Sequence, residues 1–393
     1  MVKLGTHHRY IKTGKQMTSF KYKMYQTDQS NIDHQINVAR VVYNHCISLK
    51  KRYYRRFKKS ISTNKLQKHL VKLKNRKRYA FFGELNSQSV QDITQRIEKG
   101  YKAFFSHQNK RLPDFRKFKD YHSITFKQTG YKYDGGNRIK VMGKTFGFFL
   151  SRPVEGRIKT VTVKRDGLGD HYVCFVTDLV RKKSEPATRH GCGFDFGLKT
   201  FLTSSEGERI ESPLFLKRSL KELKDASKKL SRTVKGSKRR TRARLAVARI
   251  HRKVKNQRLD FMFKLTKGLV EKYDELYFED LSMVGMRKLW GFKVSDIANG
   301  EFMRVLGYRC SEYGRKLVKI DRFEPTSQLC HVCGYRNRGL TLSDRSWICP
   351  QCGVNHDRDE NAAKNIYKSG RALSDSLGDV RPVLVKQERA VSV

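Results

Sequence analysis

No stretch of this 393-residue chain approaches the ~20 apolar residues of a bilayer-spanning helix. The longest apolar runs, such as Phe146 to Leu150, are strand-sized. The N-terminus (MVKLGTHHRY) is basic but has no apolar core of a secretory signal. No amphipathic anchor or lipidation signal is visible either, so a soluble intracellular protein is expected. Acid is the second scarcity: 37 Asp and Glu stand against 85 Lys and Arg, a formal net charge of +48. Hydrophobic residues still make up 38% and aromatics 11%, enough for real cores, which excludes wholesale disorder. A chain of this length divides into about two to four domains.

A surface with this excess repels itself and favours a polyanion that neutralises it. Two basic blocks carry the argument. Residues 50–78 hold fourteen Lys or Arg and no acid, with Tyr53, Tyr54 and Phe57 interleaved. Residues 215–258 hold eighteen, against Glu222 and Asp225 alone. A charge run is ordinarily a solvated helix face, but blocks this one-sided with aromatics between them point to nucleic acid.

Of the eight cysteines, Cys46, Cys174, Cys192 and Cys310 are scattered through apolar segments and read as small buried hydrophobes. The other four form one pattern: Cys330-His-Val-Cys333, fifteen residues, then Cys349-Pro-Gln-Cys352. Each C-x₂-C knuckle offers two thiolates from one tight turn, and Gly334 and Gly353 supply the backbone freedom that turn needs. The spacing is that of a zinc ribbon, with four thiolates filling a structural Zn²⁺ site. His331 and His356 lie nearby, but four thiolates need neither.

Periodicity divides the rest. A strand is expected at Thr18 to Tyr25. Apolar residues at Ile32, Ile36, Ala39, Tyr43, Cys46 and Ile47 predict one amphipathic helix, and Val90, Ile93, Ile97, Tyr101, Phe104 and Phe105 another, capped by Ser87 or Ser89. After Pro113 short alternating strands follow at 123–127, 138–142, 146–150, 158–164 and 172–179, suggesting a small barrel completed by the N-terminal strand, with the helices inserted in it. Residues 182–188 read as a linker. A helical hairpin covers 214–272 with its break at Gly236-Ser237, and a strand ends in Leu276-Tyr-Phe-Glu279-Asp-Leu281. Residues 284–298 read as a mobile loop, Phe302 to Tyr313 as a helix closed by Gly314, and Leu317 to Ile320 as a strand. The ribbon follows, then a helix opening at Asp359, and a disordered tail from 369.

Three acids sit where chemistry would place them. Asp195 lies in an otherwise apolar strand between Gly193 and Gly197, Glu279 ends a buried strand, and Asp359 opens the helix after the ribbon. A carboxylate facing a core is costly unless cations compensate it, and three converging make an oxygen cage for two Mg²⁺ ions. The order of elements matches an RNase H-like sheet. Taken singly, Asp195 also reads as a turn acid, Glu279 competes with Asp280, and Asp359 competes with Asp357 as a helix cap.

Several segments together resemble the TnpB family of transposon-encoded RNA-guided nucleases, relatives of type V CRISPR effectors. They are GFDFGLKTFLT (193–203), AVARIHRKVKNQRLDFMFKLT (246–266), YFEDLS (277–282), FEPTSQLCHVCG (323–334), WICPQCG (347–353) and HDRDENAAKNI (356–366). The likeness is strong over 190–366 and in the N-terminal half is one of architecture. It implies an α+β multidomain protein. An RNase H-like (RuvC) α/β nuclease domain would span 186–322, with a zinc-ribbon target nucleic-acid-binding domain at 323–355 inserted before a final helix at 356–368. A wedge domain would combine a strand in 1–29 with a β-barrel at 107–185, with a helical recognition domain at 30–106 inserted, and 369–393 would be a disordered tail. The resemblance further implies Asp195, Glu279 and Asp359 as the catalytic, Mg²⁺-binding acids and Cys330, Cys333, Cys349 and Cys352 as structural zinc ligands. Its implied partners are a guide RNA from the transposon end, double-stranded target DNA next to a short adjacent motif, and the displaced single strand. A monomer in the prokaryotic cytoplasm, at the nucleoid and without a membrane partner, is the matching expectation. The competing reading is an RNA-guided repressor without cleavage, which the three intact acids disfavour. A transposase would want a His-hydrophobe-His motif, and His7-His8 has no residue between them. A plain zinc-ribbon chaperone would not need the acids.

Overall fold

The computed structural model describes residues 17–26, 29–179, 190–197, 200–281, 291, 298–341 and 343–376, with Thr129 described by its backbone alone. The linker at 182–188, and the loop at 284–298 apart from Gly291 and Ala298, lie outside these residues. The chain forms two compact units, one within 1–180 and one within 181–393.

In the first unit, β1 (Thr18–Lys23) precedes α1 (Ser30–Phe57), α2 (Thr63–Lys74), a 3₁₀ segment (Lys77–Glu84) and α3 (Ser87–Phe105). The strands β2 (Ser123–Lys127), β3 (Tyr131–Lys132), β4 (Arg138–Val141), β5 (Lys144–Gly147), β6 (Ile158–Arg165) and β7 (His171–Thr177) follow. The predicted stripe of α1 is its buried face: Ile32, Ile36, Ala39, Cys46 and Ile47 are wholly inaccessible. Asp33, in the first turn, joins that helix to the sheet, with Arg165 Nη1 at 2.8 Å and the buried His171 Nε2 at 2.9 Å. The cap of α3 is Asn86, whose Oδ1 accepts from Gln88 N at 2.9 Å. Ser87 and Ser89 lie inside the helix, and Ser89 is buried and donates to Thr125 O.

The strands make two antiparallel sheets, β1-β7-β6-β2 and β3-β4-β5. Among the described residues one bridge, Met24 to Phe148, joins them, in place of the single closed ring of a barrel. The strand expected at 146–150 therefore ends early: Phe148 N still donates to Asn137 O at 2.9 Å, just before β4, and Phe149 N donates to Lys23 O at 2.8 Å. Tyr22, Phe148 and Phe175 pack between the sheets with centroids 5.2–5.9 Å apart. One core cluster runs from these rings through α1, α2 and α3. Residues 30–106 are thus a helical layer sharing the sheet's core, not a separately cored domain, because the apolar stripe of α1 has the sheet as its partner.

The second unit holds β8 (Gly191–Asp195), β9 (Thr200–Ser204), β10 (Arg209–Glu211), α4 (Phe215–Arg218), α5 (Leu220–Ser231), α6 (Lys238–Lys272) and β11 (Glu275–Glu279). It continues through α7 (Asn299–Tyr313), β12 (Lys316–Ile320), β13 (Ser346–Ile348), β14 (Asn355–Asp357) and α8 (Arg358–Ser376). Its five-stranded sheet has the order β10-β9-β8-β11-β12, with β8, β11 and β12 parallel and β9 and β10 antiparallel to their neighbours. The hairpin breaks where expected: Ser237 caps α6 by accepting from Arg240 N at 3.0 Å. Gly314 closes α7 at φ +71°. Strand alternation sorts the core. Cys192, Phe194, Leu276 and Phe278 pack with Leu269 of α6 and Phe302 of α7. Tyr277 and Ile320 instead pack with Ile366 of α8. The tail does not begin at 369: α8 continues to Ser376, pinned where Lys316 Nζ donates to Ser374 Oγ. No helix among the described residues is long and apolar enough to cross a membrane.

Candidate carboxylate and metal sites

The alternation that buries Phe194 turns Gly193 and Asp195 toward the face covered by α8. Gly193 makes that approach possible. A Cβ there would stand 2.3 Å from Ala363 O and 2.5 Å from Tyr367 N, both backbone atoms that cannot step aside. Gly193→Ala is therefore expected to destabilise the unit by about 3 kcal/mol through overpacking. Urea unfolding measures it, and a wild-type midpoint would refute the contact.

Strand β11 runs parallel to β8, with Phe278 paired to Phe194, so Glu279 lies next to Asp195 at the same carboxyl end. Asp359 arrives from the first turn of α8. The rivalry between Asp357 and Asp359 resolves here. Asp357 is the helix cap: its Oδ1 accepts from Glu360 N at 3.0 Å, and its Oδ2 pairs with Arg209 at 2.7 Å. Asp359 is left facing the sheet, with Arg345 Nη1 3.9 Å away. Asp280, the rival of Glu279, is paired outward with Lys319 at 3.0 Å and Arg322 at 2.8 Å.

The electrostatics follow from this convergence. Burial, then the Asp359 carboxylate, pushes Asp195 up to about 7, while Arg358 pulls the other way. Burial, then Asp195, then Glu324 pushes Glu279 up to about 7. Desolvated like charges resist ionising together, and hard oxygen donors in that state suit Mg²⁺, which would replace the protons. Glu324 is an acid that sequence reading missed. It sits 45 residues from Glu279 with no local pattern to mark it, and Ser369 Oγ donates to its carboxylate.

The four ribbon cysteines form a group whose ligand atoms all lie within 4.8 Å of one another. Cys330 and Cys352 sulfurs are 3.6 Å apart, as are those of Cys333 and Cys349. Thiolates around one tetrahedral Zn²⁺, at 2.3 Å each, stand about 3.8 Å apart. Gly334 and Gly353 take φ of +80° and +73° and donate to the Cys330 and Cys349 carbonyls, the turn each knuckle needs. The site fits a structural zinc. His356, set aside in the sequence, is buried with Nε2 3.1 Å from Cys330 Sγ.

The basic blocks map onto helices. The first covers the end of α1 and α2, where Tyr54 and Phe57 are exposed. The second covers α4, α5 and the first part of α6, and α5 buries none of its residues.

Two families match: the one described as "Cas12f1-like, TNB domain" over residues 300–366, and OrfB_IS605, described as "Probable transposase", over 171–289. A protein of Streptomyces pristinaespiralis named "Putative RNA-guided DNA endonuclease" is 32% identical over 371 residues, 93% of this chain and 92% of its own length. TnpB-like protein L79 of Acanthamoeba polyphaga mimivirus is 27% identical over 236 residues, 56% of this chain and 45% of its own. In solved structures, Cas12f1 in a complex with sgRNA and target DNA superposes with a TM-score of 0.58 at 16% identity, over 87% of this chain and 83% of that one. This last likeness is one of fold.

Proposed function

This chain belongs to the TnpB family, that of relatives named "Putative RNA-guided DNA endonuclease" and "TnpB-like protein L79", and from that premise we propose that it is itself an RNA-guided DNA endonuclease of an insertion sequence. The observation that carries the reading is the meeting of Asp195, Glu279 and Asp359 at one end of the sheet with their rivals occupied elsewhere. The strand order supports an RNase H-like (RuvC) domain, and the wedge, recognition and target-binding roles of 107–185, 30–106 and 323–355 belong to the same proposal.

Mg²⁺ held by these acids would activate a water and neutralise the leaving 3′ oxygen in phosphodiester hydrolysis. The residues' own part is positional. Asp195 and Asp359 face each other, and Glu279 adds a carboxylate from the neighbouring strand to orient the attacking water. Arg345 and Arg358 place guanidinium groups beside the acids, where a strand's phosphate would otherwise meet only negative charge. Ends bearing 5′-phosphate and 3′-hydroxyl are the expected products. The helices α5 and α6 contact backbone phosphate, which positions without reading sequence. Guide pairing supplies specificity.

The test is co-expression with the flanking transposon-end DNA, sequencing of the RNA that co-purifies, and incubation of the complex with a plasmid library and Mg²⁺. A discrete RNA and guide-matched linear plasmid are expected. A discrete RNA with binding but no cleavage would give the repressor, and no specific RNA would sink the guided mechanism.

A further inference from the structure

Two side chains of α8 take no part in the chemistry above. Asn361 is 1% exposed and Asn365 6%. Buried carboxamides persist only when their hydrogen bonds are made, and both are made to the first zinc knuckle. Asn361 Nδ2 donates to Leu329 O at 2.7 Å, and its Oδ1 accepts from His331 N at 3.0 Å. Asn361 thus holds the residues on either side of Cys330. One turn later, Asn365 Nδ2 donates to Thr326 O at 2.8 Å and to Leu329 O at 2.7 Å. Spaced four apart, the two amides share one face of the helix.

A second route reaches the same sulfur. His356, beside Cys330 Sγ, packs against Trp347 with ring centroids 4.7 Å apart and planes tilted by 45°. It is the middle residue of β14, and the next residue, Asp357, caps α8. On its other side α8 is seated against the sheet, where a Cβ on Gly370 would meet Tyr277 at 2.4 Å. Asp359 lies two residues before Asn361, on the turn where both routes meet.

We propose that Asn361 and Asn365 are positioning residues that lock the first zinc knuckle and the opening turn of α8 into one body, so that zinc binding sets the place of Asp359. The coupling runs both ways. Loosening the amides frees Cys330 as a ligand, and removing zinc frees the turn that carries Asp359. The consequence for cleavage rests on the nuclease reading; the coupling itself does not.

The test uses the full-length RNA complex and two variants, Asn361→Leu and Asn365→Leu, which keep the branched shape of the side chain and remove the bonds. Zinc transfer to a chromophoric chelator is expected to quicken roughly 10–100-fold, matching the affinity lost when an outer-shell partner of a metal is removed. Hydrogen exchange in 358–368 is expected to rise in both variants, and equally in wild-type protein stripped of zinc, while 191–195 and 200–204 stay protected. The Mg²⁺ concentration for half-maximal cleavage should rise about tenfold with guide and target binding unchanged, which a general loss of stability would not produce. Wild-type rates of zinc transfer in the variants, or undiminished protection of 358–368 in stripped wild type, would overturn the proposal. If a variant fails to fold, the stripped wild type decides. If the wild type cleaves nothing, the nuclease reading fails while the zinc and exchange results still judge the coupling.

Discussion

Asp195→Asn is expected to abolish guided cleavage and, in metal-free buffer at pH 8, to raise the melting temperature of the protein that carries it. The loss follows from the site: one of three convergent acids is gone, and several kcal/mol of cation-borne transition-state stabilisation corresponds to roughly a thousandfold or more in rate. The gain follows from the same geometry. Burial and Asp359 push the Asp195 carboxyl from 3.8 up to about 7, so its ionised form opposes folding. The full gap of roughly 3 pH units is an upper bound of about 4 kcal/mol. With Asp359 relaxing beside a neutral amide, about 2 kcal/mol is the expected gain, or about 4–8 °C.

The pH dependence has a definite sign. Below pH 4 the carboxyl is protonated in both folded and unfolded chains, and the variant has no advantage. Between pH 4 and 7 the unfolded chain gives up its proton first, so wild-type stability falls as pH rises, and more steeply than the variant's, which keeps only the raised carboxyl of Glu279. Above 7 the difference is constant. Saturating Mg²⁺ should reverse the order, since it binds the native wild type and so stabilises it. At limiting Mg²⁺, cleavage by the wild type should climb through pH 6–8, because protons compete with the metal at Asp195 and Glu279, and the slope should flatten as Mg²⁺ is raised. Scanning calorimetry with and without Mg²⁺ is the check. A variant that melts below the wild type without metal would mean that Asp195 is a structural acid with satisfied partners.

What the sequence disclosed was whatever a local pattern encodes. The C-x₂-C spacing picked out the four cysteines that converge, Ser237 and Gly314 marked helix ends, and the apolar period of α1 predicted its buried face. Choices that depend on which groups meet in space stayed open. Asp357 and Asp359 stand two residues apart, and only the fold shows that the first caps α8 and pairs with Arg209 from a distant strand. Gly193 stood beside an acid that also read as a turn residue, and is instead a place where β8 and α8 leave no room for a Cβ. Glu324 gave no signal as a site residue, because a lone acid has no periodicity and its meaning lies in its partner; the two asparagines stood inside the HDRDENAAKNI segment with no role marked for them. The boundary at 369 was misplaced for the same reason: the polar composition of 369–376 suggested a tail, and Ser374 holding Lys316 makes it helix.

Cys349→Ser is expected to unfold the ribbon and to separate cleavage from binding. The apolar core of that module is Cys330, Trp347 and Cys349, with Leu340 against it, and β13 and β14 are three residues each. A module of this size, below about 40 residues, does not bury enough surface to fold alone. Zinc on the four thiolates would supply the missing free energy, about 10–16 kcal/mol in comparable peptides. Losing one of four thiolates should release the metal, expose Trp347, and leave the sheet of the second unit intact, since its core cluster contains none of these residues. In a Trp290→Phe background, Trp347 emission should shift to the red while far-UV circular dichroism changes little. Cleavage should fall about 100-fold or more, because the ribbon that holds the opening turn of α8 is gone. RNA retention should survive, because the basic faces of α1, α2, α5 and α6 owe nothing to zinc. If cleavage and RNA retention fell together, the zinc would be supporting the whole unit. If neither fell, the four thiols would be dispensable to the nuclease, and the nearness of Cys330 to α8 would have no bearing on where Asp359 stands.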